Sequence, residues 1–541
     1  MKRWGARPVL AAATLFALWA LPGARADTAA KPDEEVDFEI SCNPAVQPAF
    51  KHAVWTMHSF WYLESVKDFT AVANADPGCA MAWWGVAMSH WHELWAPPTP
   101  AELAAGSAAV AKAEAIGGKT EREKGYIAAI ALFYQDSGTL PHHTRAVAYE
   151  KAMADLHQRY PEDREAAIFY ALSLDATALP SDKTYANQKQ AAAILEPLFV
   201  AEPNHPGVAH YLIHSYDEPP LAAKGLPAAR RYAKIAPSVP HALHMPGHIF
   251  TRLGYWQESI DANRRAAAAG QAYAKAAFGE GVALAQSLHA MDYLAYAYLQ
   301  KAEDQKVLAV IDEIGTFKKA SPHTRGTAYA MAAIPARYAL ERRDWTLAAK
   351  LEPPKADVGW DKFPPAQAII DFARAIGDAH TKDLDAAKAE IDKLAAIRDA
   401  LKGKSKYWSD QVEVERLAAA ATLAQAAGRH DDAAQEMRAA ADLDDATDKS
   451  NVTPGDILPP RELLGDLLLE QGKPAAALAE YKRSLAAAPN RFRSLIGEAR
   501  AAKQAGDAAA AHEAYRKLLA QCPSAAPERP ELAEAKAYLT N

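Results

Sequence analysis

One spacing constrains this chain more than any other: near its C-terminal end, residues of the same type return every 34 positions. Gly472 and Gly506 stand 34 apart, as do Tyr481 and Tyr515, Leu485 and Leu519, and Pro489 and Pro523. Each unit reads as a helix, a glycine-containing turn, a second helix and a terminating proline. A unit of that size cannot bury an apolar face alone, so several must stack and share one core. Pro203 and Pro237 carry the same interval upstream, and Pro161 to Pro203 is 42, one unit plus an eight-residue insertion. No period-two pattern is sustained. The expectation is therefore an all-α chain, irregular in its N-terminal half and regular towards its end.

The segments QGKPAAALAEYKRSLAAAPN and AGDAAAAHEAYRKLLAQCPS resemble the second helix of the tetratricopeptide repeat (TPR): small residues, tyrosine and final proline fall in register. The resemblance implies a TPR-like α-solenoid of stacked helical hairpins with a concave groove that takes a protein or peptide partner. Segments 252–266 and 341–352 read as further turn-plus-second-helix pieces.

Composition narrows the class. A chain of 541 residues, 50% hydrophobic and 23% charged, is globular rather than disordered. A formal charge of −7 argues against a general nucleic-acid binder. No apolar run beyond the N-terminus is long enough to span a membrane. Lys2, Arg3 and Arg7 precede an apolar stretch from Val9 to Leu21, and Ala24-Arg25-Ala26 matches a small-x-small cleavage site. We read residues 1–26 as a secretory signal peptide cleaved after Ala26, which implies a periplasmic or secreted protein. In that oxidising compartment Cys42 and Cys79 can pair, or both can be small buried residues; Cys522 is left over. The domain reading is a flexible leader at 27–45, a His-rich TPR-like solenoid at 46–310 and a C-terminal TPR solenoid at 311–541.

The histidines run on the same clock. Seven of the 18 lie between positions 205 and 289, where even spreading puts about three. His210 and His214 are spaced i, i+4, as are His244 and His248, so each pair lies on one helix face. The second pair follows the first by 34 residues, so two consecutive repeats carry it at the same place. Helices packed about 8–10 Å apart can bring four imidazoles onto one ion. By the TPR resemblance, these places face the groove. The same count puts His58 and His92 at the thirteenth place, Glu218 at the thirteenth place of its own unit, and His289 and Asp292 at the second and fifth. This His, Asp and Glu composition is that of a metal site. His210, His214, His244, His248, His58, His92, His289 and Asp292 are the metal-ligand candidates. Pro246, inside the second pair, leaves the direction of His244 open. The segment ALHMPGHIFTRLGYW resembles segments of secreted bacterial TPR proteins. His52, His142, His143, His157, His380, His430 and His512 read as structural or exposed.

Nitrogen-rich ligation suits Zn, Cu, Fe or Ni without choosing among them; Met88 and Met245 are in register for copper, though methionine at such spacing is more often core. The zinc-protease H-E-x-x-H is absent, as are G-x-S-x-G and the phosphate-binding P-loop. Trp55, Phe60, Trp61, Tyr62, Trp83, Trp84, Trp91 and Trp95 read first as core, and second as a wall for a small-molecule ligand. Loops Asp217–Pro220 and Trp95–Pro98 could cover one mouth of the groove. Three functions are open: an exported binding protein with a His-lined metal site, a metal-dependent oxidoreductase or hydrolase with Asp292 or Glu218 as acid or base, and a metal-free interaction scaffold.

Overall fold

The computed structural model describes residues 36–94, 97–447, 450, 452–523 and 529–540. The expected signal peptide, and with it Trp95 and Ala96, lies outside the described residues. The chain is a TPR-like helical solenoid: helix follows helix from Gln47–His58 to Pro530–Thr540, and each packs on its neighbours in sequence. Capping explains several of the starts. Thr99 and Thr120 each close a capping box with a glutamate three residues on, and Asp163, Asp383 and Asp507 each accept a backbone N–H of the first turn. Strands Val282–Leu284 and Lys319–Ser321 form a short parallel pair on either side of the two helices Ala285–Gln300 and Asp304–Gly315.

The segment expected as a flexible leader differs from Val36 onward. Phe38 is fully buried, with ring centroids 5.5 Å from Phe50, 5.4 Å from Trp84 and 4.9 Å from Tyr126. The polar and acidic composition of the leader concealed these two apolar anchors, Val36 and Phe38. Cys42 and Cys79 form a disulfide that fastens the same segment to the start of the Ala80–Trp91 helix.

One large apolar core runs from Val36 to Ala262 and a second from Leu243 to Ala501. The two meet where the histidines are densest. The C-terminal repeats do not extend away as a free surface. Buried Arg491 donates to Glu341 (2.6 Å), to both oxygens of Glu462 (3.0 and 3.1 Å) and to the Tyr296 hydroxyl (2.8 Å). Arg529 binds Asp304, and the Trp256 indole N–H donates to the Asn490 carbonyl at 2.8 Å. Arg491 and Ser494 fall at the second and fifth places after Pro489, places the TPR resemblance assigns to the groove; here both contact Glu462 instead. Among the described residues no helix is long and apolar enough to cross a membrane.

Candidate metal centre

The Pro206–Tyr216 helix starts at His205, whose imidazole accepts the Val208 N–H, with Pro206 in the first turn. It presents His210 and His214 one turn apart. In the next repeat Pro240–His244 and Pro246–Arg252 are two short helices joined through Met245, which keeps helical angles (φ −52°, ψ −38°). Pro246 therefore costs one backbone hydrogen bond without turning the chain aside, and His244 and His248 still share a face.

Six imidazoles gather as two sets of three: His210, His214 and His241; His244, His248 and His289. Within each set the candidate ligand atoms lie within 4.8 Å of one another. The two duplicated pairs thus do not converge on a single point, as the spacing had suggested. Each i, i+4 pair closes on itself, and the following repeat supplies the third imidazole. The two sets adjoin through His241 and His244, three residues apart, with ring centroids 6.4 Å apart.

Hydrogen bonding settles which nitrogens carry protons. His210 Nδ1–H donates to the His58 carbonyl at 2.7 Å, leaving the Nε2 lone pair bare. That Nε2 stands 3.1 Å from the Nε2 atoms of both His241 and His214. In the second set His244 Nδ1–H donates to Asn263 Oδ1 at 2.6 Å. The amide orientation is fixed because Asn263 Nδ2 donates to the Ser259 carbonyl at 2.8 Å. His248 Nδ1–H donates to Asp217 Oδ2 at 2.8 Å. Both rings therefore turn Nε2 towards the centre of the set, and the two Nε2 atoms are 2.9 Å apart. Nitrogens about 2.0 Å from a shared tetrahedral ion stand about 3.3 Å apart, close to these separations.

The surroundings oppose protonation. Burial first, and then the neighbouring imidazoles, push His210, His241 and His244 far below the usual imidazole range. Burial and His248 push His214 down to about 3. His214 and His289 are half-buried; His210, His241, His244 and His248 are at most 5% exposed, so each set has one member towards solvent. Phe60 covers the first set, its ring centroid 4.3 Å from His210 and 5.5 Å from His241. It does so from a left-handed backbone conformation (φ 51°), which costs a bulky residue about 1–3 kcal/mol. Tyr293 packs on the second set, 4.9 Å from both His244 and His248.

Close approach requires glycine at two positions. A Cβ on Gly247 would stand 2.6 Å from Asn263 Nδ2, and one on Gly207 would stand 2.6 Å from the His58 ring.

The remaining candidates go elsewhere. His58 joins Glu165 and His205 in a third group in which every nitrogen has a protein partner. His58 Nε2 and His205 Nε2 each donate to Glu165 at 2.9 Å, and the Tyr211 hydroxyl donates to His58 Nδ1 at 2.8 Å. Although burial alone would raise it, these two imidazoles hold the Glu165 carboxyl well below the usual range. His58 reaches the six-imidazole array only through its backbone carbonyl, as the acceptor for His210. His92 ends the Ala80–Trp91 helix in a left-handed conformation, 3.6 Å from Glu102. Asp292 binds Arg337 at 3.0 Å, both fully buried, so a guanidinium takes the carboxylate expected for the metal. Glu218 is half-buried, and its charge acts on Arg252 and Asp175. Trp84 and Trp91 are core, as are Met88 and Met245. The spacing argument did not single out His241, Asn263 or Asp217 as part of the site. The first had a signal: His241, His244 and His248 are spaced i, i+3, i+7, one helix face.

No protein-family model matches the chain, and no curated protein does. Solved structures similar to it include a tetratricopeptide repeat protein from Parabacteroides merdae, at 12% identity and a TM-score of 0.29, over 56% of this chain and 99% of that one. Another is the human IFIT1 dimer with m7Gppp-AAAA, at 11% identity and a TM-score of 0.39, over 89% of this chain and 96% of that one.

Proposed function

We propose that this is an exported helical-repeat protein whose six-imidazole array holds two transition-metal ions, three imidazoles to each. One observation carries the reading. In each of two adjoining sets, three imidazoles bring their candidate ligand nitrogens within 4.8 Å of one another, and in the second set His244 and His248 turn their Nδ1–H groups outward, to Asn263 and Asp217, so that their Nε2 atoms face each other 2.9 Å apart. One ion at the centre of each set lies within reach of all three of its nitrogens, His289 included in the second. The His248–Asp217 contact is the carboxylate–histidine arrangement that orients metal-bound imidazoles. Zn, Cu, Fe and Ni all suit nitrogen ligation. The Cys42–Cys79 disulfide supports export to an oxidising compartment. Three protein ligands leave a coordination position for a small molecule, which favours metal-dependent catalysis as the second reading. The solenoid's other faces remain available to a protein partner.

The test is the metal content of the protein purified without a His tag, beside a variant with His210, His214, His244 and His248 all changed to Ala. We expect two equivalents in the natural chain and none in the folded variant. Equal uptake by both, or none by either after Zn, Cu, Fe and Ni are supplied, rejects the proposal.

A further inference from the structure

An array loaded with two ions carries a charge that its own ligands leave unbalanced, and the inference drawn from that imbalance rests on the two-ion reading. Every ligand in both sets is a neutral imidazole. Two divalent ions would bring four positive charges into a place where four of the six side chains are almost wholly excluded from water. Charge so placed must be compensated nearby. Two buried carboxylates in this part of the fold, Asp217 and Asp292, cannot do it, because each already has a cation. Asp217 Oδ1 accepts from Arg252 Nε at 2.8 Å, and Asp292 accepts from Arg337 at 3.0 Å. Asp217 is thus matched by Arg252 and Asp292 by Arg337, and the half-buried Glu218, whose charge also acts on Arg252, offsets only part of what the ions bring. The sets are also not independent. His241 and His244 belong to one five-residue helix, and their ring centroids are 6.4 Å apart. Each set has its half-buried member, His214 or His289, on the side a solute can reach.

We infer that the loaded centre is an anion-binding site: one small exogenous anion completes the coordination of both ions and supplies the missing negative charge. The ligand class is a compact inorganic anion or a short carboxylate, entering beside His214 and His289.

Azide on the cobalt(II)-loaded protein tests this, because the visible cobalt spectrum reports anion coordination. Metal is counted first, so a count below two per chain is read before any azide is added and overturns the two-ion reading together with this one. Azide is then titrated into the two-ion protein and into two one-set variants, His210→Ala/His214→Ala and His244→Ala/His248→Ala. The expected result is one azide per two ions, with half-saturation at least tenfold lower than in either variant. One azide per ion with the same half-saturation in all three proteins overturns the shared site. So does an unchanged spectrum in the fully loaded protein. Using two variants that remove opposite halves keeps the comparison usable if one of them fails to fold.

Discussion

Two of the polar centres buried in the molecule are built on opposite principles. The seam around Arg491 is compensated. Its guanidinium meets Glu341, Glu462 and the Tyr296 hydroxyl, and Ser494 donates to Glu462. The imidazole array gathers like with like: six bases lie together, and three of them, His210, His244 and His248, turn their Nδ1–H groups outward to His58, Asn263 and Asp217. A buried polar group that is fully paired rigidifies a fold, whereas one left with converging lone pairs is costly unless something binds. On our reading the seam belongs to architecture and the array to function. They are separable, since the array lies where the two large apolar cores meet and the seam joins the C-terminal repeats to the middle of the chain.

The sharpest way to break this contrast is Arg491→Ala. It leaves Glu341 and Glu462 buried without their cation, and we expect a loss of about 3–5 kcal/mol in urea unfolding. Metal stoichiometry, measured below the unfolding transition, should stay at two. Loss of metal in that variant would mean that seam and array are one cooperative unit. Asp217→Asn acts on the other side. The amide keeps the shape but weakens the acceptor for His248 Nδ1–H, and such outer partners are worth about 10–100-fold in metal affinity. Competition with a chelator should show that loss at the His244 set alone. A smaller effect is expected from Gly247→Ala, whose Cβ would stand 2.6 Å from Asn263 Nδ2 and tilt the acceptor of His244. We expect a loss at or below about tenfold, the lower end of that range, again confined to the second set. An equal loss at both sets would refute the assignment of Asn263 to His244.

The array was partly legible in the sequence and the seam was not, for a physical reason. Duplicated i, i+4 histidine pairs are local, and a 34-residue period carries their register from one repeat to the next, so His210, His214, His244 and His248 could be read directly. His241 was obscured because it precedes that register by three residues. Asp292 reads as a ligand because the TPR count puts it at a groove-facing fifth place; Arg337, 45 residues later, captures it. The seam's links back to the middle of the chain pair residues 150 or more positions apart, such as Arg491 with Glu341 and Arg529 with Asp304. No helical period encodes contacts of that range. They arise only when the superhelix brings its end back onto its middle.

A third kind of buried charge sharpens the comparison with the smallest effect. Glu415 lines a cavity with Tyr329, Trp408, Asp444 and Asp456. Burial, with Asp371 and Asp456 adding to it, pushes its carboxyl up to about 8. The seam settles buried charge with an opposite charge, and the array, on our reading, with a metal; here a proton does it. Linkage sets the sign. Because the folded pKa lies above the unfolded value near 4.5, the folded protein holds the proton more tightly. The stability this contributes is fully present below about pH 4.5 and is lost as pH rises through about 8. Glu415→Gln keeps a neutral side chain at every pH, so its stability should fall less than that of the natural chain between pH 5 and 9. Urea midpoints across that window measure it; half-exposure of the residue keeps the difference modest. Parallel curves would mean that Glu415 ionises freely, and that protonation is not among the ways this fold settles a buried charge.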